Sequence, residues 1–69
     1  MVNTNRLKAA IAKMGFTQQI VASEINISPQ SLNSKIRNKT EFTVDEAYKL
    51  CELLKLTRSE TIEIFFAKN

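Results

Sequence analysis

Histidine is absent from this 69-residue chain, and cysteine, glycine and proline occur once each. Without histidine and with a lone Cys51, neither a zinc finger nor a disulfide framework can be built within one chain. The same lack leaves Ser28, Ser31 and Ser34 without a base to activate them. No apolar run approaches the length of a membrane span, and the N-terminal residues carry no signal-peptide apolar region. A single glycine excludes a glycine-rich phosphate loop. No alternating Val/Ile/Thr segment lies between Asn-Gly or Asp-Gly turns, so strands are not expected. What remains is one all-α domain spanning residues 1–69, near the lower size limit for an unstapled core. A lone cysteine in a lysine-rich domain suits a reducing cytosol, so a cytoplasmic location is expected. The sequence holds no catalytic constellation, no metal-ligand set and no cofactor motif, and no small-molecule ligand or membrane partner is expected. Cys51 reads as a small core residue. Asp45 and Glu46 are adjacent carboxylates that the first turn of a helix explains. Asn26-Ile27-Ser28 and Asn38-Lys39-Thr40 match the glycosylation acceptor pattern, but both asparagines are better explained by turns.

Charge is present in unequal halves. The net charge is +3. Residues 1–40 carry Arg6, Lys8, Lys13, Lys35, Arg37 and Lys39 against Glu24 alone, a balance of +5. Residues 41–69 carry six acids against four bases, a balance of −2. A polyanion would meet the first half and be held away from the second. A solvated surface produces such runs too, so charge bears on orientation more than on the partner's identity.

Apolar spacing predicts five helices. The first runs from about Thr4 to Met14, with Leu7, Ile11 and Met14 on one face and Gly15 at its end. Residues 17–38 then read as two short helices joined by a tight turn. Thr17 caps the earlier one, and Val21, Ala22 and Ile25 form its inward stripe. Asn26 is suited to the left-handed conformation that ends a helix, and Ile27 plugs the core from the turn. Ser28 caps the next helix with Pro29 at its first position, where the missing N–H costs nothing. Leu32 and Ile36 face in; Gln30, Asn33, Ser34 and Arg37 face out. A loop from Asn38 to Phe42 should drop the Phe42 ring into the core. Thr43-Val-Asp-Glu46 and Thr57-Arg-Ser-Glu60 are capping boxes that open the fourth and fifth helices. Ala47, Leu50, Cys51 and Leu54 make the fourth helix's inward stripe. On the fifth, Ile62, Phe65 and Phe66 share one side, while Leu53 and Ile64 fall outside the obvious stripes.

The run from Thr17 to Asn38 resembles the helix-turn-helix of the lambda-type repressor and Cro family, found in phage and bacterial regulators. Thr17 and Gln18, the small Ala22, the Ile27-Ser28 step, Leu32 and Ile36 carry the likeness, which extends from about Leu7 to Leu56. The family usually has glycine at Asn26 and often at Asn38. Asparagine tolerates the left-handed region best among the other residues, so both turns survive at some cost in stability. The usual acid late in the second helix of the motif is missing, and Arg37 stands nearby. The resemblance implies a compact five-helix, lambda-repressor-like domain that binds a double-stranded DNA operator as a transcription regulator.

Gln30, Asn33, Ser34 and Arg37 lie at i, i+3, i+4 and i+7, and these residue types suit base-edge reading: Gln and Asn pair with adenine, Arg with guanine. The wet side of any amphipathic helix offers similar residues, and the preceding turn and the lack of an acid tip the balance toward recognition. Ser31 and Lys35 flank the row and are placed to reach either bases or phosphates. Thr17 and Gln18 open a helix whose first N–H groups favour an anion, and Gln18 matches the family position that grips a phosphate. Asn38 and Lys39 complete the expected backbone contacts. The alternative is a protein-interaction module on the same scaffold, of antirepressor or antitoxin type. A single domain contacts few base pairs, and family members commonly pair on half-sites. A weak homodimer, formed mainly on DNA, is therefore expected through Ile62, Phe65 and Phe66, unless those rings fold back to complete the monomer core.

Overall fold

A computed structural model describes residues 1–66. Along it run α1 (Thr4–Lys13), α2 (Gln18–Glu24), α3 (Pro29–Ile36), α4 (Val44–Leu53) and α5 (Arg58–Phe65). No strand occurs among the described residues, and the all-α, five-helix reading holds.

Every helix begins at a polar N-cap. Asn3, Thr17, Ser28, Thr43 and Thr57 accept from the backbone N–H groups of Arg6, Ile20, Ser31, Glu46 and Glu60. Caps of this kind contribute about 1 kcal/mol each. Both expected capping boxes are closed.

The first four helices end alike. Gly15, Asn26, Asn38 and Lys55 each have positive φ, of 76°, 63°, 63° and 52°. Each N–H bonds back to Ala12, Ser23, Lys35 or Glu52. The following residues, Phe16, Ile27, Lys39 and Leu56, reach Ile11, Ala22, Ser34 and Cys51. This double bond from a left-handed residue and its successor is the Schellman motif, which satisfies carbonyls that would otherwise be orphaned. Only one of the four left-handed residues is glycine. Asn26 and Asn38 meet the need as their type allows; Lys55 does not, and no feature of its type predicts it.

Leu7, Ile11, Val21, Ala22, Ile25, Leu32, Ile36, Leu50, Leu54 and Ile64 form the buried core. α2 packs on α3, α1 lies against α3 and α5, and α4 against α2. Phe42, Ala10, Met14, Phe16, Ile27, Leu53 and Leu56 close its margins.

The fifth helix departs from expectation. Its buried residue is Ile64, which periodicity left outside the stripe, and Ile62 and Phe66 are 50% and 71% exposed. The two aromatics part company. Phe65 turns in, edge-on to Phe42 with centroids 6.0 Å apart, and Phe66 turns out. The expected common face of Ile62, Phe65 and Phe66 is thus divided, because the backbone of Ile64 is tied to the N-terminal segment: its carbonyl accepts from Asn3 N–H at 2.8 Å. The same segment reaches α3. Thr4 Oγ1 donates to the Ile36 carbonyl at 2.6 Å, and the Asn38 carboxamide pairs with the Val2 peptide at 2.8 and 2.9 Å.

Candidate nucleic-acid interface

α3 rests on the core through Leu32 and Ile36, both fully buried. Helical spacing then forces its other side outward. Gln30, Asn33 and Arg37 are exposed and Ser34 half-buried. None of their side chains makes a hydrogen bond or ion pair among the described residues. That leaves donors and acceptors available to an external partner, as base-edge reading needs. Ser31, on the flank, is half-buried, and its N–H is spent on the Ser28 cap.

At the start of α2 the Thr17 hydroxyl accepts from Ile20 N–H at 3.2 Å. Gln18, half-buried, follows it. The remaining first-turn N–H groups have no intrahelical acceptor and face an anion favourably.

Two residues expected at phosphates are engaged elsewhere. Lys35 Nζ donates to Glu46 Oε1 at 2.9 Å and to the Glu41 carbonyl at 3.1 Å. Its side chain is only 12% exposed, and Glu46's 15%. Asn38 is drawn to Val2 by both halves of its amide. The physical reason is the same in each case: part-buried polar groups find internal partners before external ones. In the free protein Lys35 and Asn38 are thus bonded within the framework. The pairing of Lys35 with Glu46 was not foreseen. The capping box located Glu46, but an eleven-residue separation across a loop follows no helical or strand period.

Lys39 is different. Three ion pairs join charged side chains among the described residues: Arg6–Glu63, Lys35–Glu46 and Lys49–Asp45. Lys39 and Arg37 take part in none, and both are exposed. Lys39 also breaks a pattern. At the ends of α1, α2 and α4 the residue after the left-handed turn is Phe16, Ile27 or Leu56, each packed on the core. A hydrophobic contact there commonly accompanies the motif. At the end of α3 the equivalent residue is a free lysine, and its hydrogen-bond partner is Ser34 in place of an apolar residue.

Glu46 is held below the ordinary carboxylate range, chiefly by the hydrogen bond from Lys35, with Thr43 N–H and the lysine's charge adding to it against the cost of burial. Glu60 is lowered first by Thr57 N–H. No group of three or more metal-ligating side chains occurs among the described residues. Nor is any described helix long and apolar enough to cross a membrane.

A helix-turn-helix whose second helix presents uncommitted polar groups, with two unpaired cations at its end, defines a DNA-binding regulatory domain. Comparison with known families agrees: the helix-turn-helix model matches residues 7–60. The chain belongs to the helix-turn-helix family of lambda-type repressors and Cro, whose members bind double-stranded DNA as transcription regulators. No curated protein matches it, and no solved structure does.

Proposed function

We propose that this protein is a sequence-specific transcription regulator of Cro or small phage-repressor type, which occupies an operator through α3. The observation that carries the reading is the row Gln30, Asn33, Ser34 and Arg37. It is outward-facing, free of internal bonds and without an acid. Gln30 and Asn33 read adenine edges and Arg37 a guanine, with Ser34 filling between. Thr17, Gln18, Ser31 and Lys39 hold the sugar-phosphate backbone and fix the register. It works in the cytoplasm of a bacterial or phage-infected cell, on the nucleoid, by obstructing polymerase or touching it at a promoter.

One domain of this size contacts too few base pairs for specificity, and a second copy supplies the rest. Phe66 and Ile62 support the pairing by their exposure. Phe65 contributes from the wall of a groove of about 350 Å³ that Phe42, Val44 and Phe66 also line. The dimer is weak and forms mainly on DNA. Its recognition helices lie about one DNA turn apart, roughly 34 Å, over a pseudo-palindrome.

The test is selection of duplexes from a random pool, followed by gel shift with the winner and with DNA flanking the protein's own gene. A recovered pseudo-palindrome bound far more tightly than random duplex supports the reading. Binding to no duplex turns it to the protein-interaction alternative. Sedimentation of the free protein with footprinting of the complex tests the dimer, and a monomer protecting one half-site ends it.

A further inference from the structure

The loop of residues 38–43 carries Lys39 just beyond α3, and besides the pairing of Asn38 with Val2 three anchors hold it. Lys39 and Thr40 N–H both bond to the Ser34 carbonyl, at 2.9 and 3.4 Å. At the far side, Lys35 Nζ holds the Glu41 carbonyl and Glu46 Oε1 together. That same carboxylate oxygen accepts from Thr43 N–H at 2.9 Å. Between the two lies Phe42, its ring 6.0 Å from Lys35 Nζ and edge-on to Phe65. Glu46 therefore serves two segments at once, closing the cap of α4 and receiving a cation from α3.

We propose that Lys35 and Glu46 form a positioning clamp: they touch no DNA, and they set where Lys39 stands relative to the base-reading row. The proposal rests on the DNA-binding reading above. Its logic is geometric. A lysine stem is flexible, so its contact with a phosphate is only as well placed as the backbone beneath it. Locking the 38–43 loop to both neighbouring helices places that backbone before DNA arrives, which removes an ordering cost from binding.

Charge alone and the clamp predict opposite signs at one residue. Removing an acid from a DNA-binding domain should strengthen binding to a polyanion. Glu46→Gln removes the acid but keeps the capping box, which glutamine also closes. Under the clamp it weakens binding. Binding of wild type, Lys35→Met, Glu46→Gln and the double variant to the selected duplex and to random duplex is measured by fluorescence anisotropy across salt concentrations. Helix content is checked by circular dichroism. Each single change should weaken both duplexes by about fivefold, and the double variant should be no weaker than either. Lys39→Ala should lower the salt slope by about one in the wild type and have little further effect on a Lys35→Met background.

Binding by Glu46→Gln as tight as or tighter than wild type overturns the proposal, as do additive losses in the double variant. Amide hydrogen exchange of the free protein tests the clamp without DNA. Lys39 and Thr40 amides should exchange faster in both single variants while Thr43, Leu32 and Ile36 stay protected, and unchanged exchange at Lys39 and Thr40 overturns it. If the wild type binds no duplex, the DNA-binding reading falls and the exchange result alone judges the clamp.

Discussion

Lys55 and Asn38 share one backbone conformation, and replacing each with glycine should move stability in opposite directions. Both residues stand at the left-handed position after a helix, at φ 52° and 63°. For an L-residue other than asparagine that conformation costs about 1–2 kcal/mol, which glycine avoids. Glycine gives back about 0.5–1 kcal/mol through the freedom it adds to the unfolded chain. The Lys55 side chain is exposed and makes no hydrogen bond or ion pair among the described residues, so nothing else is lost. Lys55→Gly should stabilise by about 0.5–1 kcal/mol. Asn38 begins with a smaller penalty, since asparagine is the non-glycine residue best suited to this region. Its carboxamide also makes two bonds to the Val2 peptide, at 2.8 and 2.9 Å. At about 1 kcal/mol each these outweigh any relief, and Asn38→Gly should destabilise by about 1–2 kcal/mol.

Thermal and urea unfolding followed by far-ultraviolet circular dichroism reads both. In a domain of this size 1 kcal/mol moves Tm by about 4–8 °C, so the variants should lie on opposite sides of the wild type with unchanged m-values. Asn26→Gly is an internal control. Asn26 is exposed and makes no side-chain bond, and the change should gain only a few tenths of a kcal/mol on the order that glycine's tolerance allows. If Asn38→Gly stabilised as Lys55→Gly does, the pairing of Val2 with Asn38 would contribute nothing, and the account of the N-terminal segment as a strap would be refuted.

Leu32 is fully buried between the helices of the motif, and Leu32→Ala should cost about 2–5 kcal/mol. A chain this short has only about 3–10 kcal/mol in total, so urea titration should find the variant largely or wholly unfolded. Glu46 is lowered from 4.5 in the folded state; its stabilisation is therefore complete above about pH 4.5 and lost as pH falls through the lower folded value. Unfolding midpoints measured from pH 6 down to 3 should show a shallower decline in Glu46→Gln than in wild type, and equal slopes would refute the coupling. Asn33→Ala or Gln30→Ala should cost about 1–3 kcal/mol on the selected duplex and little on random duplex. Equal binding of Asn33→Ala and wild type to the best site would show that α3 does not read bases as proposed.

Much of this was legible in the sequence where a local rule had one outcome. Thr17, Ser28, Thr43 and Thr57 announced their helices, because a capping side chain acts within three residues. Leu32 and Ile36 could face only one way once Pro29 and Ser28 set the start of α3. Legibility ended where tertiary packing chose between local options. In α5, Ile62, Ile64, Phe65 and Phe66 crowd four apolar residues into five positions, so a two-turn helix offers more than one inward face. The bond from Asn3 to Ile64 selects one of them. Lys55 carries no preference for its conformation; the chain's need to turn into α5 imposes it. The polar groups of Lys35 and Asn38 left their partners open for a related reason. Composition reports that a group is polar and lies near an interface, but its nearest partner is decided by loops whose geometry no period records.

The end of α3 shows how the fold reconciles stability with an open polar face. A helix C-terminus carries unsatisfied carbonyls and partial negative charge, an unfavourable place to meet phosphate. Here the Ile36 carbonyl is taken by the Thr4 hydroxyl, that of Lys35 by Asn38 N–H, and that of Ser34 by Lys39 and Thr40 N–H. Arg37 and Lys39 then place two cations at the same end. The other Schellman turns are fastened from the core side by Phe16, Ile27 or Leu56, and a similar anchor after α3 would bury the residue that should face the partner. The strap of residues 2–4 and the pairing of Lys35 with Glu46 supply the fastening instead, both from polar groups that the sequence presents as candidates for DNA. Holding α3 in this way leaves the side chains of Gln30, Asn33, Arg37 and Lys39 with no internal bond, which is the freedom the proposed reading of bases requires.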